Sequence, residues 1–133
     1  MVDPIKGSGF ALNAQHKDDV LLVEGYGTGY FKMRSNRAEG HMIILASGFF
    51  PLEALTMADI TENHVEKILS ADIKPDLVLI GTGEKMIPLP RSLRALFEKN
   101  GIGVEFMDTG AACRTYNVLT LENRRVAALL MSL

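Results

Sequence analysis

The residues best suited to chemistry lie in "MDTGAACRTYNVL", positions 107–119, which holds the only cysteine of the chain. Cys113 falls in the second turn of an expected helix. There the helix dipole and the neighbouring Arg114 would both lower its pKa and favour a thiolate nucleophile. Such a nucleophile needs a base, and none of the three histidines, His16, His41 and His64, lies on this segment. The other reading makes Cys113 a small apolar residue in a packed wall. It follows Ala111 and Ala112, small residues that let a helix lie close on a sheet, and cysteine is among the most buried residue types. At this level both readings stand.

A second segment, "GTGEK" at 81–85, carries the other candidates. Gly81, Thr82 and Gly83 would let backbone N–H groups approach a ligand, Lys85 adds a cation, and the start of the helix near Thr109 favours an anion. Alternatively the glycines make a tight turn. No Gly-Lys-Ser/Thr follows, so this is not a Walker loop, and G-x-G-x-x-G is not completed. "GYGTG" at 25–29 reads as a twisted or bulged strand start. Asp108 is either a helix cap or a catalytic carboxylate, with Glu84 as its one obvious partner across the gap. Asn117 shares a helix face with Cys113, Tyr116 and Thr120, and an asparagine inside a helix needs a partner: a neighbouring loop or a ligand. Other constellations fail. "HVE" at 64–66 has no P-C-x-x-C after it. Three scattered histidines and one cysteine make no zinc site. There is no G-x-S-x-G, and no tryptophan for a stacking platform.

These residues must be positioned by the elements around them. "LVLIG" (77–81) is a short apolar run between breakers, the pattern of a buried parallel strand. "IGVEFMD" is the next strand, and a helix beginning at Pro90 joins the two, with Leu93, Leu96 and Phe97 as its buried stripe, Arg94–Glu98 as an i,i+4 pair and Gly101 as its C′ residue. "TGAACRTYNVLTL" is a helix capped by Asp108 or Thr109, and "VAALLMSL" is a last strand of undetermined direction. The C-terminal half is therefore βαβαβ, with 77–81 and 102–107 parallel and joined by a right-handed crossover. In such sheets chemistry collects outside the carboxyl ends of the strands. The loops 81–88 and 108–114 should thus meet in one crevice. Upstream, "VLLVEG" (20–25) suggests a short strand. Residues 27–48 suggest a hairpin with "SNRAEG" as its turn and a central strand at 41–46, and "SGFFPLEALTM" a connection with an edge strand. Asp59 and Glu62 suggest a capping box before a helix over 60–70. Residues 1–19 read as a loose arm, and 20–133 as one domain.

The totals narrow the function classes. At 133 residues the chain fits one domain that buries roughly two-thirds of its surface. A net charge of −2 gives no electrostatic case for nucleic acid or an anionic membrane. A single cysteine allows no internal disulfide and points to a reducing compartment, hence the cytoplasm. No apolar leader opens the sequence and no run approaches the roughly 20 residues of a membrane helix, so neither a signal peptide nor membrane insertion is expected. No metal and no cofactor are expected.

Two stretches, Leu77–Gly83 and Gly101–Leu119, with Arg125–Leu130 matching the end, are similar to the Mth-type domain of unknown function. That family includes a mitochondrial respiratory complex I assembly factor, an adipogenesis-associated animal protein and many small microbial proteins. The likeness weakens over 24–52, is absent over 1–19 and is strongest to the bacterial versions. It implies a three-layer α/β fold with a mixed central sheet and an extra β layer, and no established catalytic activity. The family pattern does not demand a cysteine at position 113, which leans towards packing. No mitochondrial transit peptide is visible, so the likeness extends to the domain alone. The resemblance implies a non-enzymatic interaction or assembly-factor-like module with a protein partner, for a respiratory or membrane-associated complex. The alternative is a small-molecule protein, for an anion or nucleotide, or a thiol-dependent enzyme, built on the crevice of Gly81, Thr82, Gly83, Lys85, Asp108, Thr109, Arg114 and Asn117 with Cys113 as the candidate nucleophile. A homodimer is compatible with either.

Overall fold

A computed structural model describes residues 20–133. The loose arm expected over 1–19, His16 included, lies outside the described residues. In chain order the elements are β1 (Gly25–Gly27), β2 (Tyr30–Met33), β3 (Asn36–Glu39), β4 (Met42–Leu45), β5 (Gly48–Pro51), a 3-10 turn (Met57–Asp59), α1 (Glu66–Leu69), β6 (Leu77–Gly81), α2 (Arg91–Glu98), β7 (Gly103–Met107), α3 (Thr109–Leu121) and β8 (Val126–Leu130).

The apolar run of β6 becomes a buried strand because it has neighbours on both edges and cover on both faces. It pairs in parallel with β7 (Leu77 opposite Gly103, Gly81 opposite Met107) and with β8 (Leu77 opposite Val126, Gly81 opposite Leu130). β8 runs antiparallel to β4, and β5 closes the far edge, giving the order β5-β4-β8-β6-β7. The direction of the last strand is thereby fixed: parallel to β6, antiparallel to β4. β7 lies on one side of β6 and β8 on the other. Right-handed crossovers then send α2 and α3 to opposite faces. The core agrees. Val78, Ile80, Ala127 and Leu129 pack with Leu93 and Phe97 of α2, while Leu79, Ala128 and Leu130 pack with Ala112, Cys113 and Tyr116 of α3. Alternate residues of each strand supply the two cores, as the period of 2 requires. Fully burying a side chain such as Phe97 or Phe31 stabilises the fold by about 2–3 kcal/mol.

The extra layer is the three-stranded sheet β1-β2-β3, whose Phe31 and Met33 reach into the α3 core. The mixed central sheet, the βαβαβ C-terminal half and the N-terminal hairpin layer are all present, as are the interior strand at 42–45 and the edge strand at 48–51. Four local expectations need correction. The hairpin turn is Arg34-Ser35, with φ of 50° and 65°, so most of "SNRAEG" is strand β3 and the apolar strand after it belongs to the other sheet. Residues 20–24 are not a strand; they run along α3, held by side chains described below. The capping box is Thr56–Asp59, where the Asp59 carboxylate accepts from Thr56 N–H at 3.0 Å, and the helix after it shrinks to Glu66–Leu69. Ile60, Val65 and Ile68 are buried all the same, because turns deliver them to the core. Pro90 is the N-cap of α2 rather than its first residue. The helix ends as expected: Gly101 has φ 77°, its N–H reaches Glu98 O at 3.0 Å and Ile102 N–H reaches Phe97 O at 3.0 Å, a Schellman pair.

Candidate functional site

Because β6 and β7 are paired neighbours, the loops leaving their carboxyl ends do meet. Their meeting is a set of hydrogen bonds. Thr109 N–H donates to Gly83 O at 2.8 Å, and Gly83 N–H donates back to Thr109 Oγ1 at 2.8 Å. The same hydroxyl donates to Met131 O at 2.7 Å, tying in the chain beyond β8. Thr82 N–H continues the ladder to Met107 O at 2.8 Å. Its hydroxyl lies 2.6 Å from Lys85 O and 3.2 Å from Met107 O, and accepts Ile87 N–H at 3.2 Å. Thr82 and Thr109 are the buried polar residues of the described chain, and both serve this junction.

The two glycines are explained by the same junction. A Cβ at Gly81 would lie 2.9 Å from Thr109 Cα, so only glycine lets the start of α3 sit so close to β6. Gly83 has φ 108°. That conformation suits glycine and turns its N–H and C=O towards Thr109. The tight-turn reading of "GTG" accounts for both residues.

Asp108 is the N-cap of α3: its carboxylate accepts Ala111 N–H at 2.9 Å. A carboxylate therefore sits at the helix start where an anionic ligand would have to bind. Two of the first three N–H groups of α3, those of Thr109 and Ala111, already have partners. Lys85 and Glu84 are exposed on the loop. Arg114 donates to Tyr26 Oη at 3.1 Å, while Gly110 gives that phenol room, since a Cβ there would be 2.6 Å from Tyr26 Oη.

Cys113 is 2% exposed and belongs to the core with Leu79, Leu130 and Tyr116. Burial pushes its thiol from 9.0 up to about 12, against the smaller opposing pull of Arg114. Desolvation thus outweighs the helix dipole and the neighbouring cation, and the thiol stays protonated at neutral pH. Neither described histidine belongs to this core. His41 Nδ1 accepts Ser132 N–H at 2.9 Å and His64 Nδ1 accepts Thr61 N–H at 2.9 Å, so both described histidines cap backbone. Among the described residues, no group of three or more His, Cys, Asp or Glu is placed to hold a metal.

Asn117 faces the neighbouring chain. Its amide accepts Val23 N–H at 2.9 Å and donates to Val23 O at 2.8 Å, replacing a strand partner for residue 23. One turn earlier Tyr116 donates to Leu21 O at 2.9 Å. Its hydroxyl is pushed by burial from 10.0 to about 12, with Thr120 beside it pulling slightly the other way. Sequence reasoning offered a neighbouring loop as one of two partners for Asn117 without naming residues 20–24 as that loop, and it missed the Tyr116 anchor. The signal was a Tyr-Asn dipeptide whose polar tips had no partner within their own helix.

Residues 23–131 match the model of a protein family of unknown function, DUF498/DUF598. The chain belongs to this family. Over 112 residues it is 30% identical to the bovine NADH dehydrogenase [ubiquinone] 1 alpha subcomplex assembly factor 3, covering 84% of this chain and 60% of that protein. It is 39% identical over 72 residues to the "13 kDa major membrane protein" of Francisella tularensis, covering 54% of this chain and 57% of that protein. Both relatives thus extend well beyond the shared part. Among solved structures, a protein described as an outer membrane protein of Bartonella henselae superposes with a TM-score of 0.79 at 34% identity, covering 85% of this chain and 95% of that one. An Mth938-like domain of Bordetella pertussis superposes with a TM-score of 0.71 at 27% identity, covering 98% and 90%. The Mth-type resemblance is therefore correct. Among the described residues no helix is long and apolar enough to cross a membrane. Two relatives carry membrane names, so a cytoplasmic location does not follow from the comparisons.

Proposed function

We propose that this domain is a non-enzymatic interaction module that holds a protein partner during assembly of a respiratory or membrane-associated complex, acting from the cytoplasmic side. The observation that carries this reading is the match to the bovine assembly factor, which runs through 84% of the chain and so takes in both sheets and the junction of the two loops. The state of the junction supports it. The hydroxyls of Thr82 and Thr109, the Asp108 carboxylate and the Asn117 amide are all engaged within the chain, and among the described residues no histidine stands beside Cys113 as its base. The same end of the sheet offers apolar surface instead: Met86 is 62% exposed and Ile87 43% exposed on the loop after Thr82. Exposed apolar side chains on a loop pinned at both ends suit a protein contact.

The test is blue-native electrophoresis of membranes from the source cell, with the tagged full chain at native level. The expected result is comigration with subassemblies of a respiratory complex, accumulation of those subassemblies when the protein is deleted, and loss of comigration in M86D/I87D. Migration at its own mass, with complexes unchanged on deletion, would refute the proposal.

A further inference from the structure

At the opposite end of the sheet from the loop junction lies a cavity of about 680 Å³. It opens between the end of β4, the end of α1 and the end of α3, and it touches the segment that Tyr116 and Asn117 hold down. Its volume is within the range of small-molecule sites, roughly 300–1,000 Å³. The walls are mainly apolar, from Leu45, Phe50, Ile73 and Val126. Among the described residues, the charged groups around it are Lys67, Arg124, Arg125 and Asp72, three cations to one acid. Arg125 pairs with Asp76, so among these described residues the cavity keeps a surplus of one positive charge, on a chain whose net charge is −2. Two of the three cations, Lys67 and Arg124, are not consumed by ion pairs with described residues. Lys67 Nζ sits over the Phe50 ring at 4.8 Å, and Arg124 has no ion pair with a described residue. Arg125 is shared with Asp76 at 3.4 Å, on the exposed side.

An apolar chamber with cations at its margin matches a ligand with an apolar tail and an anionic head. We infer that this cavity binds an apolar carboxylate of the fatty-acid type, its tail between Leu45, Phe50 and Val126 and its head between Lys67 and Arg124. Arginine suits a carboxylate through paired N–H donors, and lysine adds a point charge on a flexible stem. The C-terminal end of α3 contributes a partial negative charge nearby, so the two cations are what make an anionic head favourable there. The inference concerns a different end of the sheet from the proposed protein contact, and the two stand or fall separately.

The test is isothermal titration of the full chain with dodecanoate below its micellar concentration, beside dodecylammonium as the tail-matched cation. The expected result is saturable 1:1 binding of dodecanoate, with dodecylammonium weaker by about tenfold or more. K67Q/R124Q should weaken dodecanoate by about tenfold and leave dodecylammonium no weaker. Ala71→Phe, which narrows the chamber without touching a charge, should weaken both. Absence of saturable dodecanoate binding would overturn the inference. So would binding that is equal for the two amphiphiles and unchanged in K67Q/R124Q in protein with a native melting profile.

Discussion

Thr109→Val removes one hydroxyl and keeps the volume. In the folded protein that hydroxyl accepts Gly83 N–H at 2.8 Å and donates to Met131 O at 2.7 Å, and the side chain is 0% exposed. Valine would leave a buried donor and a buried acceptor without partners. Each such orphan costs about 1–3 kcal/mol, so the pair should cost about 2–6 kcal/mol. For a domain of this size that lowers the melting temperature by roughly 10 °C. Urea unfolding should show the midpoint falling by about 1–2 M with an unchanged slope. Thr109→Ser is the control. It keeps both hydrogen bonds and loses one methyl group, at a cost of about 1 kcal/mol. The reasoning fails if Thr109→Val stays within about 0.5 kcal/mol of the parent, or if Thr109→Ser is as damaging as Thr109→Val.

Three further outcomes are expected. Asp108→Ala should cost about 1 kcal/mol in urea unfolding while Asp108→Asn stays near the parent, since either side-chain oxygen can cap Ala111 N–H; equal loss in both would contradict the cap. Asn117→Ala removes both bonds to Val23 and should cost about 2 kcal/mol. It should also speed amide exchange at Val23 ahead of the rest of the domain, and unchanged exchange there would count against the anchor. Stability should fall as pH rises from about 9 towards 12. Cys113 is raised from 9.0 and Tyr116 from 10.0, each to about 12, so the unfolded chain releases protons that the folded chain keeps. Their contribution is full below pH 9 and is lost on the alkaline side. Urea midpoints between pH 8 and 11 measure this, and Cys113→Ala should flatten the fall between pH 9 and 10.

Much of the architecture was legible because it rests on short-range pattern. β6 announced itself as an apolar run between breakers. Asp108, Leu93, Phe97 and Gly101 marked the limits and buried faces of α2 and α3, and the order βαβαβ then dictated parallel pairing and the meeting of two loops. What was illegible depends on contacts between distant parts of the chain. Nothing local says that Arg34-Ser35 rather than "SNRAEG" makes the turn, because both residues adopt a positive φ that side chains seldom take. Nothing local says that residues 20–24 borrow a hydrogen-bond partner from Asn117, 94 positions away. The helix expected over 60–70 was over-read: the stripe of Ile60, Val65 and Ile68 is real, but turns present it to the core. At the candidate site, both readings of Cys113 were consistent with its neighbours in sequence. Burial supports the packing reading, and burial comes from Leu79, Leu130 and the β2 layer, which no spacing around residue 113 reveals. The cavity at the other end of the sheet was invisible for the same reason, since its walls come from the ends of three separate elements.

The central claim is that the junction of the two loops is closed by its own hydrogen bonds and that Cys113 is wall rather than nucleophile. Its most direct test is the rate of Cys113 alkylation by iodoacetamide in the native protein as a function of pH. The account predicts slow labelling of the folded protein, with fast labelling only where urea unfolds the domain. Fast labelling of the folded protein, titrating well below the free-thiol value of about 8.5, would contradict it and would place an activated thiolate at the start of α3.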